Sequence, residues 1–98
     1  MGYAIPTNLI ANGFHALLRH PGELRRLRET PALAATAVEE VNRYDGTSKL
    51  VVRRAARDVE LHGARIRAGD AVWLAQCAAN RDPRAFSEPD RLDLGREP

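Results

Sequence analysis

Apolar residues near the start of the chain recur at the spacing of an amphipathic helix. They lie mostly on one helical face: Leu9, Ile10, Phe14, Leu17 and Leu18. This spacing predicts a helix over residues 7–19. Pro6 suits its first turn, because the missing N–H would have no partner there. The sequence His20-Pro21-Gly22 is expected to end it.

Two further helices are predicted before the chain changes character. Residues 23–29 form a short helix with a leucine side and an arginine side. Thr30 is placed to cap a third helix, with Pro31 at its first position, and this helix extends to about Tyr44. Its apolar face is formed by Leu33, Ala34, Ala37, Val38 and Val41. Asp45-Gly46 is expected to end it.

From Leu50 onward the hydrophobic pattern is typical of short strands. Residues 50–52 open one strand. Residues 59–61 and 64–66 predict a tight hairpin in which Gly63 supplies a positive φ. Residues 71–75 are apolar and predict a strand or the entry from a strand into a helix. After Asn80 the chain is rich in Pro, Asp and Arg and predicts turns.

The predicted fold class is therefore α+β, with three helices followed by short antiparallel strands and an irregular tail. All 98 residues fit in one unit, with helices within 7–44, a hairpin region over 50–75 and a tail over 76–98. Lys and Arg exceed Asp and Glu by two, 15 against 13, which is too weak a field to indicate nucleic-acid binding. No apolar run is long enough to span a membrane. The lone Cys77 excludes an internal disulfide and fits a cytoplasmic protein.

Glu40 and Arg43 lie three residues apart on one face of the third predicted helix. Considered alone, this spacing indicates an exposed ion pair that contributes about 0.3–0.5 kcal/mol. The surrounding residues favour a different interpretation. The stretch Ala37-Val38-Glu39-Glu40-Val41-Asn42-Arg43-Tyr44-Asp45 resembles the K helix of bacterial cytochromes P-450, with its Glu-x-x-Arg signature.

Other segments resemble the same family in the same order and at similar spacing. They are Asn8 to Gly13 and Leu17 to Pro21 (the second half of the I helix and its exit), Arg57 to Asp70 (a β hairpin), Ala78 to Pro83, and Phe86 with Pro89 to Leu94 (an arginine motif). The resemblance covers almost the whole chain. It implies that the three helices are the end of the I helix, the J helix and the K helix of a cytochrome P-450 fold.

The resemblance assigns Glu40, Arg43 and Arg91 to one buried charge network. Two guanidinium groups can present paired N–H donors to one carboxylate. Removing one partner from such a buried set costs about 3–5 kcal/mol. These three residues are expected to be structural and not catalytic.

The resemblance also implies a cofactor contact and a substrate-facing strand. Arg53 occupies the position from which the family pairs an arginine with a haem propionate; alternatively, Arg53 and Arg54 are both surface cations of a strand. Leu50, Val51 and Val52 would offer an apolar wall to a hydrophobic substrate. The other interpretation of these three residues is ordinary strand core.

The chain departs from the family at the acid–alcohol motif of the I helix. The acid position falls on Ala4 and the alcohol position on Ile5, and neither side chain can relay a proton. The resemblance would then describe a protein with an unusual proton route. Alternatively, the match is shifted at this end of the chain and the alignment there is accidental.

The resemblance implies a monooxygenase that uses haem b, electrons from a ferredoxin- or flavodoxin-type partner, and an apolar small substrate, in the cytoplasm. The cysteine-containing haem loop is absent from the sequence, so we expect the chain alone to be inactive. Cys77 is expected to be a small buried apolar residue, and His15, His20 and His62 match no metal motif. A non-enzymatic helix-plus-hairpin binding module is the alternative function.

Overall fold

The fold is described from a computed structural model, which covers residues 2–97. Three helices come first: α1 (Ala4–Arg19), α2 (Pro21–Glu29) and α3 (Ala34–Asp45). A short 3-10 turn, Pro31–Leu33, separates α2 from α3. The predicted three helices are therefore confirmed, although their boundaries move.

Two helices begin earlier than predicted, and both contain a proline in their first turn. The first helix begins at Ala4, earlier than predicted, and Pro6 lies in its first turn. The second helix begins at Pro21, so the sequence expected to end α1 also starts α2. Proline removes an N–H that has no partner in the first turn, so both positions are compatible with a helix.

The first and third helices approach each other closely at Gly13. A Cβ atom at this position would lie 3.3 Å from Val41 Cγ1, which is tighter than ordinary van der Waals contact. The Asn12 side chain donates a hydrogen bond of 2.9 Å to the backbone carbonyl of Asp45, at the end of α3. This bond satisfies one of the carbonyls that a helix terminus leaves without a partner.

The strands form two small antiparallel sheets. Strand β1 (Leu50–Arg54) pairs with β4 (Ala71–Ala75), and the hairpin of β2 (Val59–Leu61) and β3 (Ala64–Ile66) is inserted between them in sequence. The hairpin and the position of β4 agree with the prediction, and β1 extends two residues further than predicted.

The hairpin turn has the backbone conformation that the sequence requires. Gly63 has φ 79°, as expected, and His62 before it has φ 47°. Two consecutive positive φ angles fit the right-handed twist of the paired strands.

The tail is irregular in its backbone and nevertheless supplies core residues. A four-residue helix, α4 (Gln76–Ala79), comes first and directly follows β4, in agreement with the predicted entry from a strand into a helix at residues 71–75. Further on, Leu92 and Leu94 are buried with Ala16 and Ala37. The hydroxyl of Thr36 donates a hydrogen bond of 2.7 Å to the carbonyl of Leu94. The tail thus closes the core between the helices.

The prediction that Cys77 is buried was wrong. Its side chain is exposed, as are the other residues of α4. The helix contacts the preceding strand region through its backbone, since the Cys77 N–H donates to the Lys49 carbonyl at 3.2 Å. Every helix within residues 2–97 is too short or too polar to cross a membrane.

Candidate functional site

Glu40 and Arg43 form a buried pair on the inner face of α3. Their side chains are 2% and 6% exposed. Arg43 Nε donates to Glu40 Oε2, and Arg43 Nη2 donates to Glu40 Oε1, both at 2.8 Å. The three-residue spacing places the two groups on adjacent turns, and the parallel bonds match the planar guanidinium to the carboxylate. An exposed, weak surface pair is therefore the wrong interpretation.

Arg43 makes five hydrogen bonds, as many as its guanidinium has N–H donors. Two go to Glu40. The other three go to backbone carbonyls of the tail: Nη1 to Asn80 at 2.8 Å and Pro89 at 2.8 Å, and Nη2 to Arg91 at 3.1 Å. The guanidinium carbon also lies 5.2 Å from the ring centroid of Phe86. Arg43 therefore binds the irregular tail to α3 at several points.

The assignment of Arg91 to the buried network requires correction. Its side chain is 60% exposed and pairs with Glu88 at 3.2 Å. Its only contribution to the network is its backbone carbonyl. The neighbouring Leu92 is buried, whereas the side chain of residue 91 faces outward and pairs with an exposed glutamate.

Arg96 is the second arginine of the network, and sequence reasoning missed it. Its Nε donates to Glu40 Oε1 at 3.1 Å, and its side chain is 13% exposed. Its terminal nitrogens donate to the carbonyls of Ser87, Glu88 and Arg91. The pattern Arg91-Leu92-Asp93-Leu94 contained a usable signal. Leucines at the alternating positions 92 and 94 indicate an inner side that position 96 shares and position 91 does not.

The donors around Glu40 determine its charge state. Burial by itself would raise the pKa of Glu40, but hydrogen bonds from Arg43, from the Asp93 N–H at 3.0 Å and from Arg96 outweigh it, and the pKa is lowered. Glu40 is therefore ionised near neutral pH. One carboxylate then faces two guanidinium groups, and the surrounding carbonyls accept most of their remaining donors. Such a set can brace a fold but offers no free group for catalysis.

Arg53 lies apart from this network, on β1. Its Nη1 donates to the adjacent carbonyl of Val52 at 3.0 Å, and among residues 2–97 no carboxylate pairs with it. Arg54 instead donates to the Gly69 carbonyl at 2.7 Å. The register places Arg53 opposite Val72, with Val51 and Leu74 on the same sheet face.

The strand geometry divides the predicted apolar wall of Leu50, Val51 and Val52. Because successive side chains of a strand alternate, Leu50 and Val52 share the face of Trp73, and Val51 lies on the opposite face. A single wall made of all three residues is therefore wrong. Leu50 and Val52 are also exposed, so ordinary core does not describe them either.

The acid–alcohol positions lie in the first turn of α1. Ala4 and Ile5 are both exposed, and the hydroxyl of nearby Thr7 donates to the backbone carbonyl of Tyr3. Within residues 2–97, no three His, Cys, Asp or Glu side chains come together as metal ligands. His20 lies against the carbonyl of Ala16 at 2.8 Å and meets the ring of Tyr44 edge-on.

Comparison with known proteins gives a consistent result. The sequence profile described as "Cytochrome P450" matches residues 20–96. The chain is 44% identical over 97 residues to the biotin biosynthesis cytochrome P-450 of Bacillus subtilis (strain 168). The match includes 99% of this chain and 25% of that protein. It is 45% identical over 97 residues to the vitamin D(3) 25-hydroxylase of Pseudonocardia autotrophica, in a match that includes 98% of this chain and 24% of that protein.

Solved structures share the fold. The crystal structure of P450BioI in complex with acyl carrier protein ligated to hexadec-9Z-enoic acid superimposes with a TM-score of 0.93 at 44% identity, over 99% of this chain and 25% of that one. The chain thus spans about a quarter of the length of the relatives it matches. Proteins of this family use haem and need redox partners. With a matching family profile and a shared fold, the chain belongs to the cytochrome P-450 family.

Proposed function

We propose that this chain is the part of a haem-dependent monooxygenase that braces the cofactor-side core and contributes one contact to the cofactor. The observation that carries the proposal is the buried set of Glu40, Arg43 and Arg96, in which one carboxylate receives both guanidinium groups. The set joins α3 to the irregular tail at several points.

Arg53 is the residue that we assign to the cofactor. Its guanidinium lacks an acidic partner among residues 2–97 and shares a sheet face with Val51, Val72 and Leu74. A cation beside apolar side chains fits a group with carboxylates at the edge of a large apolar ring, as in haem b. Activation of dioxygen is the chemistry that haem supplies when bound. Arg53 would hold and orient a propionate, and the valines would exclude water.

An apolar small molecule is the substrate class that we propose. Val51 lies on the same face as Arg53 and would be near a cofactor held there. The names of two similar proteins refer to vitamin D(3) hydroxylation and to a fatty acid attached to acyl carrier protein. Electrons would come from a ferredoxin- or flavodoxin-type protein in the cytoplasm. Because Ala4 and Ile5 cannot relay protons, the proton route would use other groups or water.

The test compares two adjacent arginines in a complete protein that contains these residues. Arg53→Gln should raise the dissociation constant for haem at least tenfold, because one charge-assisted bond of about 1.5–3 kcal/mol is lost. Arg54→Gln is the matched control and should retain haem. Absorption of the reduced, carbon monoxide-bound protein measures the thiolate-ligated fraction. A parent protein that never acquires haem would contradict the proposal and favour a non-enzymatic binding module.

A further inference from the structure

A second charged cluster ties α2 to the same tail segment and meets the Glu40 network at Asp93. Arg26 Nη1 donates to Asp93 Oδ1 at 2.8 Å and lies 3.4 Å from Glu23 Oε2. Glu23 Oε2 also accepts the backbone N–H of Leu94 at 2.9 Å. Two side chains of α2, one turn apart, therefore hold two consecutive residues of the tail.

Arg26 reaches Asp93 by passing over Gly95. A Cβ atom on Gly95 would overlap the Arg26 guanidinium, so this guanidinium would have to shift if residue 95 carried a side chain. The Gly95 N–H donates to the same Asp93 Oδ1 at 3.0 Å. The hydrogen bond from Arg26 lowers the pKa of Asp93 despite the opposing effect of burial, so this carboxylate is ionised near neutral pH.

The turn held in this way is the one that presents Arg96 to Glu40. The Asp93 N–H donates to Glu40 at 3.0 Å, and the next N–H, that of Leu94, donates to Glu23 at 2.9 Å. The Arg96 N–H closes the turn on the Asp93 carbonyl at 3.0 Å. Consecutive amides are thus held by carboxylates from two different helices, and this fixes where the Arg96 side chain starts.

We propose that Glu23 and Arg26 are positioning residues that fix the turn of residues 93–96, so that Arg96 reaches Glu40. The Arg26 side chain is 44% exposed, so its ion pair adds little stability by itself. Its effect is geometric: it selects one arrangement of a segment without regular structure. The expected effect on haem binding rests on the proposed function, whereas the expected effect on the turn of residues 93–96 does not.

We call the contacts of Arg26 with Asp93 and of Glu23 with Leu94 the latch. The experiment breaks it in two independent ways in the complete, haem-loaded protein. Arg26→Gln removes the charge, and Gly95→Ala displaces the Arg26 guanidinium without changing any charge. Arg25→Gln and Gly22→Ala are the matched controls, because Arg25 is exposed and nothing lies within 4 Å of a Cβ on Gly22. Amide hydrogen exchange at Asp93, Leu94 and Arg96 is the direct readout.

In both variants these three amides should exchange roughly tenfold faster, because local opening of the turn no longer has to break the hydrogen bond from Arg26. They should also lower the thiolate-ligated fraction in the carbon monoxide spectrum, and Arg26→Lys should restore part of both signals. Unchanged exchange in both variants would overturn the inference. If the unmodified protein holds no haem, the proposed function fails, and the exchange rates still decide whether the latch exists.

Discussion

Arg43 and Arg96 share two acceptors. Their nitrogens donate to Glu40 Oε1 at 2.8 and 3.1 Å, and both also donate to the backbone carbonyl of Arg91 at 3.1 Å. One arginine belongs to a helix and the other to a segment without regular structure. The shared acceptors lock these two parts of the chain into one arrangement, and the charge of Glu40 keeps the two cations together.

Neutralising Glu40 should strongly destabilise a complete protein that contains this network. In Glu40→Gln, two buried guanidinium groups lose their counter-charge, at a cost of about 3–5 kcal/mol. The measurement is the free energy of unfolding in denaturant. Glu39→Gln is the matched control, because Glu39 is the neighbouring residue and is exposed. It should change stability by less than about 0.5 kcal/mol, and equal effects of the two substitutions would contradict burial of the charge.

The two tail arginines should differ in their effect on stability. Arg96→Ala removes a hydrogen bond to a buried carboxylate and should cost about 2–4 kcal/mol. Arg91→Ala removes only the exposed pair with Glu88 and should cost less than about 1 kcal/mol. Thermal unfolding of the two variants side by side measures the difference. A larger loss from Arg91→Ala would restore the assignment made from the sequence.

Acid should weaken the fold through carboxylates whose pKa values are lowered in the folded state, among them Glu40 and Asp93. Such a group stabilises the fold fully above its unfolded pKa, about 4.3 for Glu and 3.9 for Asp. That contribution is lost as the pH falls through the lower folded pKa. Unfolding free energies from neutral pH to about pH 3 should therefore fall. The slope should be smaller in Glu40→Gln, and an unchanged slope would mean that Glu40 is not the titrating group.

Two glycines should resist alanine for different reasons. At Gly46, φ is −63°, which any residue adopts, but a Cβ would collide with the Asn42 carbonyl in the last turn of α3. Gly46→Ala should cost about 1–3 kcal/mol through this overlap. At Gly63 there is open space, but φ is 79°, so Gly63→Ala should cost about 1–2 kcal/mol through backbone strain. Unfolding midpoints of both variants test this, and no loss at Gly46 would contradict the close approach.

Local sequence patterns predicted the helices and the hairpin better than they predicted the partners of Glu40. The apolar spacing of Leu9 to Leu18 and the turn at Gly63 depend on neighbouring residues, so the helix and the hairpin could be read from sequence. The choice between Arg91 and Arg96 depends on which side chain reaches Glu40 across more than 50 residues of chain. The exposure of Cys77 likewise depends on what covers α4, which no local pattern records.

The resemblance found the correct helix partners, Glu40 and Arg43, and missed the partner in the tail. Helical spacing fixes the first two relative to each other, whereas the tail has no period from which to count. The contact of Arg26 with Asp93 was also missed, because it joins residues far apart in sequence. The Arg26 side chain passes over Gly95 to reach it, and no local pattern indicates that path. Contacts of this kind become visible only when the packing of the tail is known.

The most direct test of the buried network is a double-mutant cycle on unfolding free energy in the complete protein. Glu40→Gln and Arg96→Gln are measured singly and together, and the same cycle is run with Arg91→Gln in place of Arg96→Gln. The network predicts a coupling of about 1–3 kcal/mol for Glu40 with Arg96 and less than about 0.5 kcal/mol for Glu40 with Arg91. Additive effects at Glu40 and Arg96, with coupling to Arg91 instead, would contradict it.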